Sequence, residues 1–226
     1  MATDTGFGMC RIFDDFLGDT FSSDMWTVAE DGGAAGAVFV INTQVNGVIR
    51  GTVTNNTSTD IEVIYGAVNW EADDAGPLTF ECRIKPITSL SQLIFVGLSD
   101  EGKAERPIDY NGGTQTTTAT DAVGFYYAGG VSSATWRCGG VKNGSDSTHT
   151  AASSVYDPVL TTYQTFRVVV AVDGSASFYI DGNIIVENVA SCVTASTSLC
   201  PIIAITDDGA AASLDVDYIY VSKGRV

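Results

Sequence analysis

Positive charge is scarce in this chain. Eleven Lys and Arg stand against 27 Asp and Glu, a formal net charge of −16, and 226 residues contain one histidine. Proteins that hold a phosphate backbone rely on clustered Lys and Arg, so nucleic acid is not an expected partner. The same balance opposes anionic lipid, and no apolar run of about 18 residues is present to cross a bilayer, so no membrane partner is expected. There is no C-x-x-C pair. The five cysteines, Cys10, Cys82, Cys138, Cys192 and Cys200, are odd in number and irregular in spacing, which predicts free thiols. Cys192 and Cys200, which bracket a short Thr/Ser-rich loop, are the one pair to examine. The first ten residues have neither a basic nor an apolar region of the secretory kind, so no export signal is expected. Apolar residues nowhere recur at a helical period over a useful length.

What the chain does have is strand and turn chemistry. Gln164–Glu187 reads as two runs rich in Val, Ile, Phe and Tyr joined at Asp173-Gly174-Ser175, with a second Asp-Gly at Asp181-Gly182 before Ile184-Ile185-Val186. Asp-Gly supplies the positive φ of a tight turn, so this segment predicts strand, turn, strand, turn, strand. Further strands are expected at Ala37–Ile41, Gly47–Val53, Asp60–Tyr65, Leu78–Lys85, Leu93–Leu98, Ala122–Tyr127, Ala134–Val141 and Pro201–Ile205, separated by Gly, Pro, Asn and Asp. Many short strands at such spacing predict an all-β, two-sheet antiparallel sandwich, and the length suits one unit. Residues 1–36 read as an extended arm and loop that docks aromatics on the sandwich or on a neighbour, and 37–226 as the sandwich. Ser99–Thr120 and Lys142–Ser154 read as polar loops, the first being long enough to suggest a partner contact. Asp207-Asp208-Gly209 reads as a turn.

The segment F-Y-I-D-G-N-I-I from Phe178 to Ile185, the closing run Leu214–Val221, and Asp14-Asp15-Phe16 with Trp26 resemble the concanavalin A-like lectin/glucanase superfamily, laminin G-type domains included. The resemblance implies a jelly roll covering nearly the whole chain. Glycoside hydrolases of that superfamily carry a pattern similar to E-x-D-x-x-E, which places acid and nucleophile on one strand face about 5–5.5 Å apart. It is missing here. Asp60-Ile61-Glu62 comes nearest, without a second Glu, so no catalytic residue is expected. Lyase chemistry would have to use Tyr126, His149 and Arg137, and His149 reads as an exposed edge residue. A glycan site would draw its aromatic platform from Phe125-Tyr126-Tyr127, Trp136, Trp70 and Tyr110; of Tyr126 and Tyr127, strand alternation sends one outward. In relatives of the fold a structural Ca2+ ties the N-terminal loop to the closing strand, which would make Asp217 a ligand.

The absent catalytic pair, the Thr/Ser/Ala/Gly-rich composition, the missing export signal and the docking arm together look like the jelly-roll decoration or cement proteins on tailed-bacteriophage capsids. That resemblance implies a non-enzymatic virion protein made in the host cytoplasm. Its partners would be the major capsid protein or other virion proteins, it would form a homo-oligomer, and Phe7, Met9, Phe13 and Phe16 would make the contact. The alternative is a lectin-like module for a cell-surface glycan, and the third reading is a glycoside hydrolase or lyase with an unrecognised site.

Overall fold

A computed structural model describes residues 8–18, 20, 22–31, 38–42, 47–54, 61–73, 76–111, 114–130 and 134–224. The first third of the chain supplies β1 (Met9–Asp14), β2 (Thr27–Asp31), β3 (Val38–Ile41), β4 (Ile49–Val53) and β5 (Ile61–Tyr65). The middle supplies β6 (Leu78–Pro86), β7 (Gln92–Ser99), β8 (Ile108–Asn111), β9 (Thr114–Thr117), β10 (Ala122–Ala128) and β11 (Arg137–Lys142). It continues with β12 (Ser145–Asp146), β13 (Thr150–Ala151), β14 (Gln164–Val170), β15 (Ala176–Ile180) and β16 (Asn183–Val189). Two long strands follow, β17 (Cys200–Asp207) and β18 (Ala212–Gly224). The one helical element among the described residues is a 3-10 turn at Ser154–Tyr156.

The strands form two eight-stranded antiparallel sheets. Sheet A runs β16-β15-β14-β6-β18-β4-β3, with β1 also paired to β18, and sheet B runs β12-β11-β10-β7-β17-β5-β2, with β13 also paired to β11. This is a jelly-roll β-sandwich. Alternation along β6 and β14 sends Phe80, Cys82, Ile84, Phe166 and Val168 between the sheets. There Phe125 meets Phe166 at 5.1 Å and Phe178 at 5.6 Å, both edge to face, the arrangement aromatic quadrupoles favour.

Turn chemistry works as the residues demand. Ile180 pairs with Asn183 across Asp181-Gly182, and both turn residues have positive φ. The Asp173 carboxylate accepts from the Ser175 amide at 2.9 Å and its hydroxyl at 2.6 Å, which closes the β14–β15 loop. The opening segment is locked by Asp14, which accepts from the Phe16 amide at 2.9 Å and the Trp26 indole N–H at 2.7 Å.

Three expectations change. Met9–Asp14 and Thr27–Asp31, read as arm and loop, are strands of sheets A and B. Ser99–Thr120 is no bare loop, because β8 and β9 pair within it from Ile108↔Thr117 to Asn111↔Thr114. Lys142–Ser154 carries the Asn143-Gly144 turn, whose flanks pair as Lys142↔Ser145. All five cysteines are free, Cys192 and Cys200 included.

Candidate functional surfaces

The outer face of sheet B carries Tyr126 and Arg137, two of the residues named from sequence. Register aligns Val63, Ala204, Phe95, Tyr126 and Arg137 across β5, β17, β7, β10 and β11 on that face. It is covered by the chain's own excursion between β7 and β10. Ile108 and Ala119 pack into a second apolar cluster with Val63, Phe95, Tyr126 and Ala204. A side chain at Gly102 would collide with the Tyr65 ring, so residue 102 needs glycine to lie this close. Tyr126 is left 1 % exposed, with its hydroxyl donating to Gln115 Oε1 at 2.8 Å. Burial drives its pKa well above the ordinary value.

Tyr127 points the other way, into the core, where it is 5 % exposed and its ring lies 5.3 Å from that of Trp136. Trp136 is buried too. Its indole donates to Gln164 Oε1 at 3.1 Å, and Gln164 Nε2 donates to the Tyr156 carbonyl at 2.8 Å. The expectation that one of the two tyrosines is exposed is therefore corrected. Alternation does send them to opposite faces, but both faces are covered.

What remains accessible at the rim of this face is a stack. The Arg137 guanidinium lies 3.8 Å from the centroid of the half-buried Tyr110 ring, and His149 meets that ring edge-on at 5.8 Å. A shallow cleft of about 230 Å³, lined by Ala134, Thr135, Ala152, Ser154 and Asp157, opens elsewhere and brings one carboxylate. The lyase set named from sequence is split: Arg137 and His149 share Tyr110 at the rim, while the Tyr126 hydroxyl lies beneath the hairpin.

The four expected contact residues part company. Phe7 lies outside the described residues. Met9 is half-buried on β1. Phe16 is 4 % exposed and stacks at 6.3 Å on Trp26, so it belongs to the core and is removed from the contact set. Phe13 is 58 % exposed on the outer face of sheet A, its ring 5.7 Å from that of Tyr218.

Asp217 occupies a bulge, where the register of β18 against β6 slips between Val216 and Tyr218. Arg83 Nη1 donates to Asp217 Oδ2 at 2.8 Å. A cation there would have to displace that guanidinium. Among the described residues no group of three or more His, Cys, Asp or Glu could hold a metal. The donor set at Asp217 does not fit Ca2+. Asp207, read as a turn former, instead ends β17 and is buried, and Glu62 of the Asp60-Ile61-Glu62 segment is buried as well.

No protein-family model matches the chain, and no curated protein matches it. Solved structures do. The Bacillus licheniformis β-glucanase superposes with a TM-score of 0.63 at 13 % identity, covering 93 % of this chain and 97 % of its own. The Emp47p carbohydrate recognition domain gives 0.65 at 11 % identity over 100 % of both chains. The CBM2 module of the Lactobacillus casei BL23 phage J-1 evolved Dit gives 0.57 at 11 % identity over 97 % of both. At these identities the likeness speaks for the fold, which enzymes and binding modules share. The chain has the concanavalin A-like jelly-roll fold.

Proposed function

We propose that the chain is a non-enzymatic binding module carried on a virion, a decoration or cement protein of a bacteriophage capsid that seats on the major capsid protein or another virion protein. The observation that carries this reading is Phe13. Of the eight described phenylalanines the other seven are at most 4 % exposed, whereas Phe13 presents its ring on the outer face of sheet A beside Tyr218. Burying such a ring against a partner contributes to binding roughly in proportion to its apolar area. Many copies of a weak contact then add up on a repeating shell. The covered face of sheet B supports the non-enzymatic part, since Tyr126 cannot reach a polysaccharide there. A homo-oligomer would multiply the contact further. Banding producing-cell lysates on a density gradient tests the reading. Co-sedimentation at a fixed ratio to the major shell protein, lost in Phe13→Ser, is the expected result; a chain that stays at the top of the gradient overturns it.

The second reading is a lectin-like module, supported by the Tyr110, Arg137 and His149 stack and by a fold shared with a carbohydrate recognition domain and a phage CBM2 module. Glycan-array binding lost in Arg137→Ala would favour it.

A further inference from the structure

The shallow cleft of about 230 Å³ beside the 3-10 turn contains a carboxylate that nothing answers. Local chemistry sets its place. Asp157 precedes Pro158, whose ring disfavours the helical region for the residue before it, so the turn Ser154–Tyr156 stops and Asp157 takes φ −55° and ψ 143°. The frame is anchored in the core. Ala152 donates its amide to the Trp136 carbonyl at 2.8 Å, and the Trp136 indole is linked to the Tyr156 carbonyl through the Gln164 amide.

Asp157 is half-buried, and its Oδ1 is sealed from solvent without a hydrogen-bond partner. Among the described residues no Lys, Arg or His forms an ion pair with it. Its charge is felt near by: burial raises the Tyr127 pKa, and Asp157 adds to the rise. A partly desolvated carboxylate left alone is costly, and it attracts a cation more strongly than one in open water. The other lining residues are the apolar Ala134 and Ala152 and the hydroxyl-bearing Thr135 and Ser154. Thr135 already donates its proton to the Ala152 carbonyl at 3.2 Å, so towards a ligand its oxygen can only accept.

We infer that this cleft binds a primary ammonium on an apolar stem, presented by a lysine side chain of a partner protein. The ligand must be a donor, because an ionised carboxylate and the Thr135 oxygen both accept. It must be cationic, because the carboxylate has no counter-charge and the whole chain carries −16. A guanidinium fits less well, since its bidentate fork calls for both carboxylate oxygens and Oδ1 is sealed. An ammonium is a compact charge with three donors, which one carboxylate oxygen and the two hydroxyl oxygens accept, while the alanines receive the methylene stem. The site involves neither Phe13 nor the Arg137 stack, and it holds whether or not the chain rides on a virion.

The test titrates the full, isotope-labelled chain with Nα-acetyl-lysine amide and follows backbone amides by NMR. Saturable shifts at Thr135, Ala152 and Ser154 are expected, with a dissociation constant in the millimolar range, as suits one charge-assisted contact and a short stem. The norleucine derivative, which keeps the stem without the charge, and methyl glucoside, which offers only hydroxyls, should give no saturable shift. The arginine derivative should bind at least about tenfold more weakly than the lysine one. Asp157→Asn keeps the shape and has no hydrogen bond of its own to lose, and it should weaken lysine binding by at least about tenfold. Wild-type protein with no saturable response to the lysine derivative overturns the proposal, and this ligand series decides the matter even if the variant fails to fold. Equal affinity in Asp157→Asn, or equal binding of the norleucine, arginine or glucoside probe, overturns it too.

Discussion

The Tyr126 hydroxyl donates to the Gln115 side-chain carbonyl at 2.8 Å and so ties the middle of sheet B to the hairpin strand lying over it. Removing the donor leaves a buried acceptor without a partner, which is costlier than the hydrogen bond's net worth. Tyr126→Phe should therefore lower unfolding stability by about 1–3 kcal/mol. Urea unfolding measures it, and an unchanged midpoint would mean that the hairpin does not hold this face closed.

Phe13 and Phe16 offer a matched pair of truncations three residues apart. Phe16 packs on Trp26 in the core, so Phe16→Ala should cost about 3–5 kcal/mol. Phe13→Ala, on the solvent side of β1, should fall within about 0.5–1 kcal/mol of wild type. Comparable losses at both positions in thermal unfolding would contradict the pairing of β1 with β18.

Four of the five thiols are sealed in. Burial raises Cys82 and Cys138, lifts Cys192 to about 11 and Cys200 to about 12, whereas Cys10 is half-exposed. Since the thiolate is the reactive form, Ellman's reagent at mildly alkaline pH should label at most Cys10 in the native protein and all five thiols in denaturant. A second fast native thiol would be inconsistent with this core.

Asp100 gives a pH dependence of unusual sign. Burial raises its pKa above the ordinary 3.8, with Glu101 and Asp121 adding to the rise and a backbone hydrogen bond from Asp121 opposing it. Because the folded-state value exceeds the unfolded one, the protonated form favours folding. That contribution is present below about 3.8 and is lost as pH rises through the raised folded value. At neutral pH Asp100→Asn should gain stability, by less than about 1 kcal/mol for a group still partly open to solvent, and the gain should disappear in acid. Urea midpoints of both proteins across a pH series check it.

How far the fold could be read in advance depended on whether the signal was local. Asp181-Gly182 dictates its own turn, and Val, Ile and Phe at alternate positions of β14 dictate an inward face, so both were legible. The β8–β9 hairpin was not, because Thr-Gln-Thr-Thr carries no apolar alternation and its covering role arises only from contact with sheet B. Asn143-Gly144 was legible as a turn signal but was passed over inside a polar tract. For Tyr126 and Tyr127 alternation told their opposite directions. What lay in each direction is a tertiary fact that no neighbouring residue encodes. The bulge at Asp217 is likewise a property of register.

Register also sets an order of events during synthesis. In sheet B, β17 separates β5 and β2 from β7 and its neighbours, and in sheet A, β18 separates β4, β3 and β1 from β6 and its neighbours. Among the described residues, the strands of the first and middle thirds of the chain are thus joined into common sheets only through β17 and β18. On the ribosome the nascent chain must carry unpaired edges on β4, β5, β6 and β7 until translation has almost reached residue 224, and such edges invite aggregation. Closure is then a long-range event, slow by the logic of contact order. A chaperone that holds the chain until β17 and β18 emerge would govern the yield of folded protein more than any single contact within it.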